Sequence, residues 1–271
     1  YYCPLAVNTD RLKRMFNDEY EVKNELYAGD ISFIGSMYNE KHNLYDRLCG
    51  VNDYTKGYLD AIMKVQRSIY GYFFLEDMLK GDVLDEMMRV CPVKPNEDGV
   101  ETVQYVYANY FLARRMATDE RTDILSRVGR ELGRENKINL YTPDASVRFI
   151  NVNNKGTVDY YNEMPYVFRN SRINLNITLR SIKSGIPLRC MDICGAGGFL
   201  LSNYQADLYD VFAPGEDMVI YDSIDDLMNK CKYYLSHDAE RRQIAQNGFG
   251  KIEEKHTYDV RFEEIFNMVF N

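Results

Sequence analysis

Short apolar runs of strand length recur along this chain, each closed by a turn residue and followed by a helical stretch. That alternation constrains the fold more than any other feature. Asp30-Ile-Ser-Phe-Ile-Gly35 reads as a buried strand ending in a glycine turn. Lys137–Thr142 reads as a strand stopped at Pro143, and Ile173–Ile177, Gly198–Asn203 and Met218–Tyr221 read as further strands. Val147–Val152 and Val158–Tyr161 are expected to be short extended segments. Helices are predicted over Thr118–Leu132, Glu163–Arg169, Arg189–Gly195, about 205–212, Asp222–Ser236, Asp238–Gly250 and from about Tyr258 onward. Strands and helices in alternation, joined by short loops, predict an α/β fold: a Rossmann-like parallel sheet with helices on both faces.

The alternation is interrupted once. Between Tyr54 and about Arg115 the period becomes helical, with Tyr58, Ile62, Val65, Ile69 and Phe73 spaced by three and four, and Val103, Val106, Tyr107, Tyr110 and Phe111 forming a second stripe. The loop Cys91–Gly99 between them is rich in helix breakers. These aromatic stripes read as core, and residues 54–117 as an all-helical insert in the α/β domain. Residues 1–29 read as a connector, with a short helix over 10–17 capped at Thr9-Asp10. A helix is also expected over about 39–49. The chain begins Tyr-Tyr-Cys-Pro with no initiator Met, and is expected to be a piece of a longer one.

Composition narrows the partners. The formal net charge of −8 disfavours a general nucleic-acid or anionic-membrane binder. No apolar run approaches the ~20 residues of a membrane span. Six cysteines without a CxxC pair read as reduced thiols of a cytoplasmic protein. His42, His237 and His256 stand far apart and suggest no zinc site, and no cofactor is expected.

In open parallel sheets ligands bind beyond the carboxyl ends of the strands, near the point where strand order reverses. Gly35 and Ser36 follow the first strand, where glycine lets a phosphate approach the backbone, although turn chemistry favours a plain turn over a phosphate site. Tyr141 and Tyr160 stand at loop positions suited to contacting a base. Gly185 and Pro187 mark a turn immediately before a helix, whose free N–H groups and positive dipole end form a ready anion site. Arg189 in the first turn is unfavourable to the helix unless an anion is nearby, and Asp192, one turn later, could accept hydrogen bonds from ribose hydroxyls. The spacing equally fits an i,i+3 ion pair on a solvated face. Asn176, Thr178 and Arg180 close a strand; Arg180 could reach a diphosphate or form a surface salt bridge, and the buried amide calls for partners that a ligand loop could supply. Gly195-Ala-Gly-Gly198 follows a helix rather than a first strand, so it reads as a packing device, and a nicotinamide oxidoreductase is disfavoured. No catalytic residue stands out, and no pair of acid/base carboxylates is evident.

The stretch Glu163-Met-Pro-Tyr-Val-Phe-Arg-Asn-Ser-Arg-Ile-Asn-Leu-Asn-Ile-Thr-Leu-Arg-Ser-Ile-Lys-Ser-Gly-Ile-Pro-Leu-Arg189 resembles the CgeB-like (spore maturation protein) group of glycosyltransferases. Met191–Gln205, Phe212–Asp217, Tyr233–Asp238 and His256–Arg261 continue the resemblance in order, and Asp30–Ser36 resembles the group's first strand. The resemblance implies a GT-B enzyme of family-4 type, with residues 30–271 as its donor-binding domain and an acceptor-binding amino-terminal domain beyond Pro4–Asn8. It further implies a nucleotide-diphosphate sugar, usually uridine-linked, transferred with retention and without a metal, the leaving diphosphate being neutralised by helix N–H groups and basic side chains. Asp192 falls where the family's ribose-holding glutamate stands, Ser184 where its first glutamate stands, and Ser36 where its arginine stands; Lys41 loosely matches its lysine. This piece alone is expected to bind rather than turn over. The alternative is a non-catalytic interaction module descended from such an enzyme.

Overall fold

The computed structural model describes residues 3–18, 25–39, 43–97 and 99–270. Contacts divide the chain into two compact units: a sheet unit (Tyr1–Gly35, Leu125–Thr178, Ser184–Asn271) and a helical unit (Ser36–Ile124, Leu179–Lys183).

In the sheet unit, β1 (Gly29–Ile34), β2 (Ile138–Tyr141), β3 (Val152–Asn154), β4 (Ser171–Asn176), β5 (Leu200–Asn203) and β6 (Val219–Tyr221) form one sheet in the order β3-β2-β1-β4-β5-β6. Every pairing is parallel. Ile31 faces Ile138 and Ile173, and Phe33 faces Leu140 and Leu175, which makes apolar rows on one side. On the other side Ser32 faces Asn139 and Asn174. There Ile34, Tyr141, Leu200 and Ile220 join a core with Phe168 of α7 (Met164–Asn170) and with Cys190 and Ile193 of α8 (Leu188–Gly195). Downstream, α9 (Leu208–Val211), α10 (Ile224–Ser236), α11 (Asp238–Lys255) and α12 (Tyr258–Phe270) complete the unit. The chain passes from β1 outward to β3 and returns to β4 on the other side of β1, so strand order reverses between β1 and β4.

The expected helix over 10–17 is α1 (Thr9–Asp18). Its Leu12 and Phe16 are buried in the same core, and Phe16 meets Tyr166 edge-on with ring centroids 5.5 Å apart. Two such side chains contribute about 1.5–3 kcal/mol each. The glycine run serves packing as expected. A Cβ at Gly195 would lie 2.6 Å from Val7 Cγ1, one at Gly198 2.6 Å from the Phe168 carbonyl oxygen, and Gly197 has φ +75°.

The helical unit holds α2 (Asp53–Arg67), α3 (Leu75–Met78), α4 (Gly81–Val90) and α5 (Val103–Val106), which leads through a π-helical stretch (Tyr107–Leu112) into α6 (Ala113–Leu132); from Leu125 onward α6 belongs to the sheet unit. Leu59, Leu75, Met87, Tyr107 and Leu112 form its core. Three expectations need correction. The stripe from Tyr58 to Phe73 is not one helical face: α2 ends at Arg67, its buried face is Thr55, Leu59, Ile62, Met63 and Gln66, and Val65 and Ile69 are exposed. The extended segment at 147–152 becomes a strand only from Val152, and Tyr160 and Tyr161 lie in a turn. The helix expected over 39–49 is, among the described residues, a 3-10 turn at Leu44–Leu48. No helix among the described residues is long and apolar enough to cross a membrane.

A Cβ at Gly129, in α6, would collide with the Ile150 carbonyl oxygen and lie 2.7 Å from Val152. Gly129→Ala is therefore expected to destabilise the sheet unit by about 1–3 kcal/mol, more than the ~1 kcal/mol that alanine gains in a helix. A lower urea midpoint would show this; an unchanged one would mean that the chain ahead of β3 yields.

Candidate functional site

The reversal between β1 and β4 opens the sheet where the loops after these strands diverge. The Gly35 N–H donates to the Tyr141 carbonyl (2.9 Å), which fixes the turn after β1 against the end of β2. Arg189, half-buried in the first turn of α8, brings its guanidinium over this turn. A Cβ at Gly35 would lie 3.4 Å from Arg189 Nη2 and 3.5 Å from Nη1. The same guanidinium lies 6.0 Å from the Phe33 ring centroid. The turn before α8 carries Gly185 at φ +89°, a conformation that favours glycine, and its N–H donates to the Asp207 carboxylate. Pro187 stands at the N-cap, where no side chain caps the helix. The first-turn amides thus lie beside a cation that the helix end disfavours, a combination suited to an anion.

One turn on, Asp192 Oδ2 accepts a hydrogen bond from Tyr160 Oη at 3.0 Å. Asp192 and Tyr160 share a cavity of about 450 Å³ with Asn8, Arg11, Leu188 and Tyr258. Burial pushes the Asp192 carboxyl up to about 6, against the opposing pull of the Tyr160 hydrogen bond and the charges of Arg189 and Arg11. Tyr160 is raised as well, by burial and by the carboxylate. Asp192 therefore lies in a partly enclosed wall, not on the solvated face that the spacing also allows.

Six of the sequence candidates belong to the sheet unit: Gly35, Tyr141 and Arg189 meet at the strand ends, Tyr160 meets Asp192, and Gly185 shapes the turn between β4 and α8. Tyr141 is 3% exposed; its hydroxyl has no hydrogen bond among the described residues, and burial pushes it up to about 12. Ser36 and Arg180 belong to the helical unit. There the Ser36 hydroxyl accepts from the Tyr38 N–H at 2.9 Å and its carbonyl accepts from Arg121. Arg180 pairs with Glu120 at 2.6 Å, both side chains 4% exposed, and its guanidinium lies 3.2 Å from the Tyr70 ring centroid. Lys41 lies outside the described residues. At the end of β4 the Asn176 amide nitrogen donates to Thr178 Oγ1 (2.8 Å) and Ser202 Oγ (2.9 Å) and the Thr178 N–H donates to Asn203 (2.9 Å), while Asn176 Oδ1 is buried and accepts no hydrogen bond among the described residues. Sequence reading misses Asn8 and Arg11 because residues 1–29 read as a connector, and Tyr258 because a helix-start tyrosine carries no distinguishing pattern. Among the described residues no three His, Cys, Asp or Glu side chains gather as a metal site.

A family model described as glycosyl transferase-like matches residues 114–267, more than half of the chain. The chain belongs to this glycosyl transferase-like family. Among solved structures it is similar to a sucrose-phosphate synthase from Thermosynechococcus elongatus, with 11% identity over 100% of this chain and 52% of that one, at a TM-score of 0.46. It is also similar to an α,α-trehalose-phosphate synthase (UDP-forming) from Burkholderia xenovorans, with 12% identity over 99% and 51%, at 0.47. TarM matches with 16% identity over 54% of this chain and 32% of its own, at 0.44. The chain thus spans about half the length of the two synthases and a third of TarM. Curated proteins give no match.

Two outcomes follow from this geometry. The folded-state value of Asp192 lies above the unfolded one, so the protonated form favours the fold. That contribution is complete below about pH 4 and fades as pH rises through about 6. Asp192→Asn, which cannot ionise, is expected to match wild type near pH 4 and to exceed it near pH 7.5, by up to about 3 kcal/mol. Urea unfolding at both pH values measures this; a pH-independent difference would contradict it. Glu120→Ala, which strands Arg180 without its ion pair, is expected to cost about 3–5 kcal/mol, seen as loss of the helical unit's cooperative unfolding transition.

Proposed function

We propose that this chain is the donor-binding part of a glycosyltransferase and that it holds a nucleoside diphosphate sugar at the carboxyl ends of β1 and β4. The observation that carries the reading is the Arg189 guanidinium set over Gly35 at the uncapped start of α8. A diphosphate there receives a bidentate cation, backbone amides and a glycine turn that admits its oxygens. Asp192, oriented by Tyr160, accepts hydrogen bonds from ribose hydroxyls, and the partly exposed Tyr160 ring offers a surface for the base. On transfer, the bond between the anomeric carbon and the diphosphate oxygen breaks, its electron pair leaves with the nucleotide, and the anomeric carbon bonds to the acceptor's nucleophilic atom, whose proton passes to the departing diphosphate or to water. Arg189 and the α8 amides stabilise that charge without a metal. Uridine as the base, retention of configuration and a CgeB-like specificity come from the sequence resemblance, and the acceptor is bound elsewhere. Six cysteines, none in a disulfide, support a cytoplasmic setting.

A panel of uridine, adenosine, guanosine, cytidine and thymidine diphosphates tests the proposal by thermal shift and calorimetry. One nucleotide is expected to bind, stabilising the fold by about 2.7 kcal/mol at 100 times its Kd. Arg189→Ala is expected to weaken it by about tenfold or more. Binding should also weaken as pH falls through about 6, where Asp192 loses its charge. No binding of any of the five, or full binding by Arg189→Ala, would defeat the proposal. A non-catalytic descendant is the second reading, favoured by Ser184 in place of the family's first glutamate and by Ser36 held in its own turn with Tyr38. Absence of nucleotide binding is the outcome that would select it.

A further inference from the structure

A second cavity of the sheet unit, about 570 Å³, lies at the opposite end of the sheet, beside the start of β4 and the residues leading into β5. Its wall contains Arg169, Arg172, Arg241 and Arg242 and no aspartate or glutamate. In a chain of net charge −8 this concentration is not an average patch of surface. The arginines are held in place. The Arg241 Nη1 donates to the Arg172 carbonyl at 2.9 Å. Arg172, Arg241 and Arg242 all converge on Asp238, with Arg172 also paired to Asp30 at 3.1 Å. Arg169 reaches the Ala196 carbonyl at 3.5 Å and lies 4.6 Å over the Phe16 ring. Three of the four guanidiniums thus meet two carboxylates, neither of which lines the cavity.

Two further polar atoms lie behind this wall. Asn170 Nδ2 and Arg241 Nε are buried and make no hydrogen bond, both belong to cavity-lining residues, and both are donors. Arg241 is itself only 7% exposed. These buried donors add to the positive potential behind the arginine-lined wall, which favours an anionic guest in front of it. Fixed guanidiniums match the planar oxygens of a phosphate better than flexible lysines would. Phe249 adds an apolar wall, and the volume suits a small organic molecule rather than a bare ion.

We propose that this arginine-lined cavity is a second ligand site, distinct from the nucleotide-sugar site, that binds the phosphate group of a small phosphate monoester. The site lies at the amino ends of the strands, where the loops that would hold a donor do not reach. Its occupancy is therefore independent of the donor reading.

Calorimetry at low salt, with inorganic phosphate and with ribose 5-phosphate as separate probes, tests this. Saturable one-to-one binding is expected, near or below about 1 mM, with the sugar phosphate tighter. Arg242→Glu, an exposed position, is expected to weaken both probes by about fivefold, and Arg169→Ala/Arg242→Ala by about tenfold or more. Phe249→Ala should weaken only ribose 5-phosphate. Lys56→Ala/Lys64→Ala, which removes the same charge elsewhere, should bind as wild type does, and so should Arg189→Ala. The proposal is overturned if neither probe saturates up to about 20 mM. It is also overturned if the lysine pair loses affinity equally, or if Arg189→Ala abolishes binding and so places the anion at the donor site.

Discussion

The reversal of strand order between β1 and β4 is the constraint on which the rest of the sheet unit depends. Both strands are central, so both faces must be covered, and each parallel connection needs a crossover that returns the chain to the sheet's amino end. Leaving β1 on one side and re-entering at β4 on the other makes the loops at the carboxyl ends part company. The opening is a consequence of topology, and Gly35, Tyr141 and Arg189 only furnish it. A Cβ at position 35 would crowd the Phe33 ring at 3.0 Å and would meet the Arg189 guanidinium only at ordinary contact distance.

The face that looks toward α7 and α8 is unusual for a buried parallel sheet because its rows mix polar with apolar side chains. Ser32, Asn139, Asn174, Asn176 and Ser202 are all buried. Their bonds run mostly across strands and into adjoining backbone: Ser171 to Ser32 (2.7 Å), Asn174 to the Phe168 carbonyl (2.9 Å), Asn176 to Ser202. A one-residue slip of β4 would push these amides onto the apolar face and strand each of them, so the network fixes register as well as contributing energy. Register in turn fixes where β4 ends and hence where the turn into α8 begins.

The legible part of the sequence is the part governed by local period. Five of the six strands and most helices follow from apolar runs and their breakers, and the turn before α8 follows from Gly185 and Pro187. Two kinds of information are not local. The true buried face of α2 depends on where the helix stops, and Arg67-Ser68 carries no strong breaker, so the apolar stripe reads on past its end. The fate of the polar residues depends on neighbours distant in sequence. Nothing near Arg180 announces Glu120, sixty positions away, and nothing near Asn176 announces Ser202. The pairing of Tyr160 with Asp192 is of the same kind: each residue stands out alone in the sequence, and only the fold joins them.

The arginine-lined cavity and the cavity beside Asp192 are related through the helices that reach both. α7 and α8 start at the strand carboxyl ends, beside Tyr160 and Arg189, and finish at the amino ends, beside Asn170 and Gly197. Their dipoles therefore point the same way, with partial positive charge toward the proposed donor site and partial negative charge toward the arginine-lined wall. That polarity accounts for Arg169, which sits in the last turn of α7 and reaches the cap carbonyl of α8, a placement the helix ends stabilise. At the other end it runs against Arg189, a cation at a positive helix start. The same pair of helices thus favours Arg169 at its finish and disfavours Arg189 at its start. An anion at the start of α8 would offset the helix-end repulsion felt by Arg189, whereas at Arg169 the helix ends already oppose the charge.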